Sequence, residues 1–148
     1  MDIYKQVHDM NEMVYETNRL LFNHYREELN EGLTNQQAVL LDIIKFYPGI
    51  TVGEVAKEMA ISSSAVSQLL KKLEDSDFIE RKSERDNKRI VKIYLAKKAD
   101  SYFEKQLEVE KKVVDSIYKK LSHDELEQLY RLTEKIRDIA LNEFKGEL

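Results

Sequence analysis

Residues 51–95 read TVGEVAKEMA ISSSAVSQLL KKLEDSDFIE RKSERDNKRI VKIYL, and a change of period inside that stretch decides the fold. Thr51-Val52-Gly53-Glu54 has the form of a capping box, in which a Thr hydroxyl and a carboxylate three residues later satisfy each other's exposed backbone amides. It opens a short helix running to about Met59. Ala60-Ile61-Ser62 leaves room only for a tight turn, after which Ser62 or Ser63 caps a second helix running to about Ser76. Val66, Leu69, Leu70 and Leu73 fall on one side of it at three-to-four spacing. From Phe78 the period drops to two. Phe78-Ile79-Glu80-Arg81 predicts a short strand, and residues 89–95 predict a second, with Val91, Ile93 and Leu95 on its inner face. Residues 82–88 between them are polar and turn-forming, which makes the pair a hairpin with a charged tip. Two helices across a tight turn followed by a hairpin are the parts of a winged helix-turn-helix.

Outward from this centre the chain is helical. Residues 2–31 carry Ile3, Val7, Met10, Val14 and Leu21 on one stripe, widened by Leu20, Tyr25 and Leu29, and predict one long helix. Thirty residues at helical rise span roughly 45 Å, more than a small core can cover. Gly32 is placed to end that helix in the left-handed conformation. Thr34-Asn35-Gln36-Gln37 is another capping box and starts a helix to about Tyr47, which Pro48-Gly49 stops. A long helix is predicted over 97–120. A last one opens at the capping box Ser122–Glu125 and carries Leu126, Leu129, Leu132, Ile136, Ile139 and Phe144 in register. The fold class is therefore mainly α (α+β): a winged helix-turn-helix over 33–98, with dimerisation helices over 1–32 and 99–148. The outer helices expose more apolar stripe than one winged domain covers, so a two-fold homodimer is expected.

Composition excludes several classes. The 148 residues contain no Cys, hence no disulfide framework, thiolate metal site or thiol redox sensor. No apolar run approaches the length of a membrane span, and the N-terminus lacks the pattern of a secretory leader, so a cytoplasmic protein is expected. No glycine-rich phosphate loop or triad arrangement is present, which argues against an enzyme. His8 with Glu12, and His24 with Glu28, stand one helical turn apart; such pairs are common by chance, and neither a metal nor any other cofactor is expected. Net charge is −4, unusual for a protein that meets nucleic acid. The distribution is uneven, however. Residues 1–50 carry 4 basic and 8 acidic groups, residues 51–98 carry 11 and 8, and residues 99–148 carry 9 and 12. Only the central third is basic, and a polyanion would be met there.

The second helix of the motif shows what such a surface would need. Ser63, Ser64, Ala65, Ser67 and Gln68 are slim or amide-bearing, which lets a helix approach base edges, and Gln can pair bidentately with adenine. Lys71 and Lys72 follow one turn later, suited to phosphates. A Ser-rich start also serves simple capping, and a Lys pair also serves a solvated face. The hairpin tilts the balance: Arg85, Lys88 and Arg89 stand at its tip, with Arg81, Lys82 and Lys92 behind, and a narrow minor groove attracts Arg. The alternative is a winged-helix interaction module that binds protein rather than DNA, which the overall acidity favours.

Ile61–Glu74, followed by Phe78-Ile79-Glu80-Arg81, resembles the recognition helix and wing entry of the MarR family of bacterial regulators, and the likeness extends over nearly the whole chain. It implies a homodimer on a pseudo-palindromic double-stranded operator, with recognition helices about 34 Å apart. It implies a repressor relieved by a small anionic or phenolic effector held between the dimer arms and the winged domain; Tyr15, His24, Tyr25 and Tyr47 are the candidates for that pocket. Ser64, Ala65, Ser67 and Gln68 fall where the family reads bases, and Arg89 on its minor-groove arginine. Three positions depart from the family pattern. Asn87 replaces the usual wing aspartate, with Asp86 placed to substitute for it by pairing with Arg89 or a nearby amide. Asp77 stands where Gly is usual, and Ala96 where Thr commonly caps the next helix.

Overall fold

The computed structural model describes residues 2–29 and 32–144. Helix α1 spans Ile3–Leu29, α2 Asn35–Phe46, α3 Val52–Met59, α4 Ser63–Asp75, α5 Lys97–Ser116 and α6 His123–Phe144. Strands β1 (Ile50–Thr51), β2 (Ile79–Ser83) and β3 (Val91–Leu95) form one antiparallel sheet in the order β1-β3-β2. This is a winged helix-turn-helix with long flanking helices, as the sequence predicts. The expected end of the first helix, Asn30 and Glu31, lies outside the described residues.

The helix starts follow the capping chemistry. Thr34 accepts the Gln37 amide at 3.2 Å while the Gln37 Oε1 accepts the Thr34 amide at 2.8 Å. Thr51 and Glu54 repeat the exchange at 3.4 and 2.9 Å, and Ser122 and Glu125 at 3.3 and 2.8 Å. Backbone amides bonding to Glu54 and Glu125 hold both carboxyls below their ordinary pKa. Gly32 adopts φ 72°, the left-handed conformation expected of it.

The core lies between α2, α3, α4 and the inner face of the sheet. Leu40, Leu41, Ile44, Val55, Val66, Leu70, Leu73 and Ile93 are wholly inaccessible, closed by Phe78, Ile79 and Tyr102. Phe78 and Tyr102 meet edge-on at 6.3 Å, a favoured aromatic geometry.

Four boundaries differ from expectation. The two-residue strand Ile50–Thr51 pairs with Ile93 and Lys92; a strand that short has no periodicity to detect. Strand β2 runs over 79–83 rather than 78–81, because the ladder continues through Lys82↔Lys92 and Ser83↔Val91 whatever the polarity of the side chains. Strand β3 begins at Val91 rather than Arg89, which moves Arg89 and Ile90 into the turn. Finally, α5 stops at Ser116, whose hydroxyl bonds back to the Lys112 carbonyl at 2.8 Å, and a 3-10 turn over Tyr118–Lys120 follows.

The chain divides into two compact units, Met1–Glu108 and Val109–Leu148, and the division falls within α5. In the first unit most of α1 is exposed, Tyr25 being its buried residue. In the second, α6 has no buried residue, and Leu132, Ile136, Ile139 and Phe144 are all more than half exposed. Among the described residues no helix is long and apolar enough to cross a membrane.

Candidate nucleic-acid interface

The turn into α4 is set by Ala60, which takes the left-handed conformation at φ 52°. Its amide and that of Ile61 return to the last carbonyls of α3, Lys57 at 3.3 Å and Ala56 at 3.1 Å. Only one non-helical residue then separates the turn from the Ser62 cap, whose Oγ accepts the Ala65 amide at 3.1 Å. The angle between the two helices is thus locked by backbone bonds, while Val55, Val66, Leu70 and Leu73 bury the shared side.

What remains outside on α4 is the set the sequence singles out. Ser63, Ser64, Ser67, Gln68, Lys71 and Lys72 are exposed, and Ala65 is half-buried. By helical spacing Ser64, Gln68 and Lys71 stack along one edge, with Lys72 beside them. None of their side chains makes a hydrogen bond or ion pair within the described residues.

The wing cations separate into two groups. Arg81 donates to Glu74 through Nε at 2.9 Å and lies 2.7 Å from it through Nη2. These two contacts converge on one carboxylate oxygen, Oε2, and tie the end of α4 to β2. Lys82 pairs with Glu80 at 2.8 Å and lies 5.3 Å from the centre of the Tyr94 ring. Lys92 pairs with Glu84 at 2.6 Å. Donating to the Glu80 and Glu84 carboxylates raises the pKa values of Lys82 and Lys92. Arg85, Lys88 and Arg89 are exposed and have no ion-pair partner among the described residues. The free positive charge of the hairpin is therefore concentrated at its tip. Glu74 is the residue that the sequence reading passed over; its signal was an acid and a base on either side of a turn.

The tip is built around Asn87, not Asp86. Glu84 donates its amide to the Ile90 carbonyl at 3.0 Å, Ile90 donates to the Asn87 carbonyl at 3.0 Å, and the Asn87 Oδ1 accepts the Arg89 amide at 3.1 Å. The expected substitution by Asp86 is therefore corrected: an Asn side chain two residues back makes the local turn bond as well as an Asp would. The other two departures are accommodated. Asp77 adopts φ 60°, as a residue in a Gly position must, and the Ala96 carbonyl accepts the Ala99 amide at the start of α5.

The four residues expected to form an effector pocket are scattered. Tyr15 is exposed on α1, and His24 is exposed with its ring edge-on to buried Tyr25 at 4.6 Å. Tyr47 lines a cavity of about 420 Å³ with Pro48, Ile50, Glu54 and Glu58, and none of the other three is on its wall. A second cavity of about 440 Å³ is lined by Phe22, Arg26, Leu33, Tyr102 and Gln106, again without the four. Gln106 Nε2 donates to the Tyr102 hydroxyl there at 2.6 Å. Among the described residues no cluster of three or more His, Cys, Asp or Glu is placed to hold a metal.

The family model of the MarR family matches residues 31–90, which include α2, α3, α4 and the wing tip. Over this stretch the chain is similar to the MarR family. Its relatives include the transcriptional regulator MgrA of Staphylococcus aureus, 29% identical over 125 residues covering 83% of this chain and 84% of that protein. The transcriptional repressor MdtR of Bacillus subtilis is 26% identical over 110 residues, 74% of this chain and 71% of the repressor. These relatives are regulators, not enzymes. Among solved structures, a MarR family protein from Bacillus stearothermophilus superposes with a TM-score of 0.76 at 20% identity, over 93% of this chain and 97% of that one. An S. aureus MepR mutant bound to an oligodeoxyribonucleotide superposes at 0.63 and 21% identity, over 94% and 99%. At these identities the structures establish the MarR fold.

Proposed function

We propose that this protein is a MarR-like, sequence-specific double-stranded DNA-binding regulator that acts as a homodimeric repressor. The observation that carries the reading is the pairing of two unencumbered surfaces. Among the described residues, the slim outward edge of α4 makes no side-chain bonds, and Arg85, Lys88 and Arg89 at the tip of the adjacent hairpin have no acidic partners. Ser64, Ala65, Ser67 and Gln68 would read bases in the major groove. Lys71 and Lys72 would hold phosphates, and Arg89 would enter the minor groove. Arg81, engaged by Glu74, would position the wing rather than touch DNA. In this division of labour residues 33–98 meet DNA, while 1–32 and 99–148 build the dimer, whose two-fold axis would suit a pseudo-palindrome. The exposed apolar residues of α1 and α6 support that assignment.

The cavity beside Arg26 and Tyr102 offers a cation, a hydroxyl and apolar walls, and suits the anionic or phenolic effector that would relieve repression. DNA binding is tested by selecting sequences from random duplexes and measuring affinity against salt. A selected palindrome bound with a steep salt slope is expected. Equal, weak binding to all sequences would favour the other reading, an interaction module, to which the net charge of −4 gives some support.

A further inference from the structure

The hairpin holds an acid at the point where its ladder ends. Strands β2 and β3 pair as far as Ser83↔Val91. Residues 85–90 beyond that pair are all exposed, and the tip is closed by a backbone bond from the Glu84 amide to the Ile90 carbonyl at 3.0 Å. The Glu84 side chain is half-buried and crosses to Lys92 of β3, 2.6 Å away. The Lys82–Glu80 pair, by contrast, joins two residues of one strand and fixes nothing across the sheet. Lys82 and Lys92 are themselves cross-strand partners. Like charges so placed repel, and Glu84 offsets that repulsion. Lys92 also faces Thr51 of β1, the residue that caps α3. Its pKa is raised first by the bond to Glu84 and the charge of that carboxylate, and in smaller part by Tyr94 and Glu54. Lys92 therefore stands between the wing tip and the start of the helix-turn-helix. At 39% and 35% side-chain exposure the pair adds little to folding stability. What it does fix is geometry.

We propose that Glu84 and Lys92 are positioning residues of the wing, holding its tip so that Arg89 reaches the minor groove while α4 occupies the major groove. This rests on the DNA-binding reading above. The link to Arg89 is continuous. The Ile90 amide donates to the Asn87 carbonyl, and the Asn87 Oδ1 accepts the Arg89 amide. Arg89 thus moves with the strand end that Glu84 ties down. A planar guanidinium gains most in a narrow groove when it is held in register with it. Glu84 is then an acid whose loss impairs recognition of a polyanion, the reverse of what its charge alone dictates.

The test compares affinity for the selected operator with affinity for a random duplex at fixed salt. Bulk charge moves both together and leaves their ratio unchanged. Glu84→Ala should bind random DNA slightly more tightly yet lower the ratio about fivefold. Lys92→Met should lower it similarly. Glu84→Lys combined with Lys92→Glu restores an opposite pair and should give a higher ratio than either single variant. On top of Arg89→Ala, the Glu84→Ala change should leave the ratio unaltered, because the pair acts through Arg89. Backbone amide relaxation of the free full-length protein reads the tip directly: Glu84→Ala should lower the order parameter at the Arg89 amide while thermal stability hardly changes. A full ratio in Glu84→Ala, an exchanged pair no better than either single variant, or an equal loss on top of Arg89→Ala would overturn the proposal. So would unchanged order at the Arg89 amide. A wild type without sequence preference would refute the DNA-binding reading instead, and the order of the Arg89 amide would still decide whether the pair holds the tip.

Discussion

The winged centre and the outer helices use the same amino acids to opposite ends. In α4, Val66, Leu70 and Leu73 are wholly inaccessible; in α6, Leu132, Ile136 and Ile139 are each more than half exposed. Both helices are amphipathic, with apolar residues at the spacing of one face. The difference is that α4 has α2, α3 and the sheet to close over it, whereas α6 contains no buried residue. The centre thus completes its own core, whereas the outer helices leave many apolar residues exposed.

The sharpest way to break the comparison is to make the same kind of change in both places. Leu70→Ala should cost about 2–5 kcal/mol of stability, since it removes a fully buried side chain and leaves a cavity; a shift in the denaturant midpoint at unchanged slope reads it. Leu132→Glu with Ile136→Glu should leave the winged centre folded and convert a dimer to a monomer in sedimentation. A species that sediments as a monomer before any substitution would remove the basis for assigning α6 to an interface.

Within the centre, the two contact surfaces should respond differently. Gln68→Ala should relax base preference at one position per half-site, with a loss of about 1–3 kcal/mol on the preferred sequence if the contact is bidentate. Binding to random duplexes should hardly change, and a uniform loss on all sequences would remove Gln68 from base reading. At the wing tip the effects are smaller and opposite in sign. Asn87→Ala removes the acceptor of the Arg89 amide and should weaken DNA binding, whereas Asp86→Ala only deletes a negative charge and should strengthen it slightly. Weaker binding in Asp86→Ala would give that carboxylate a part in ordering the tip.

The smallest effect is on acid stability. The Glu54 and Glu125 carboxyls have folded pKa values below the ordinary 4.5, because each accepts a backbone amide at a helix start. Their contribution is complete above the unfolded value and disappears as pH falls through the folded one. Glu54→Gln keeps an acceptor without the titration. It should flatten the decline in stability below about pH 4.5, as followed by thermal unfolding at stepped pH.

Much of this protein is decided locally and was legible in residue order. The capping boxes at Thr34, Thr51 and Ser122 mark helix starts because the bonds they make span only three residues. The change of period after Asp75 marks the hairpin because side-chain direction follows backbone geometry. The left-handed positions at Gly32 and Asp77 are likewise set by immediate neighbours. Tertiary structure decided what depends on partners distant in sequence. Ile50–Thr51 is a strand only because β3 lies beside it, and Ser83 belongs to the ladder only because Val91 faces it. Arg81, Lys82 and Lys92 read as part of one basic patch with Arg85, Lys88 and Arg89. Folding brings Glu74 and Glu84 within 2.7 and 2.6 Å of Arg81 and Lys92, and Lys82 pairs with Glu80, so free charge remains at the tip alone. Formal charge is a property of the residue; its availability depends on which opposite charges the fold brings within reach, because Coulomb attraction falls with distance and is screened by water.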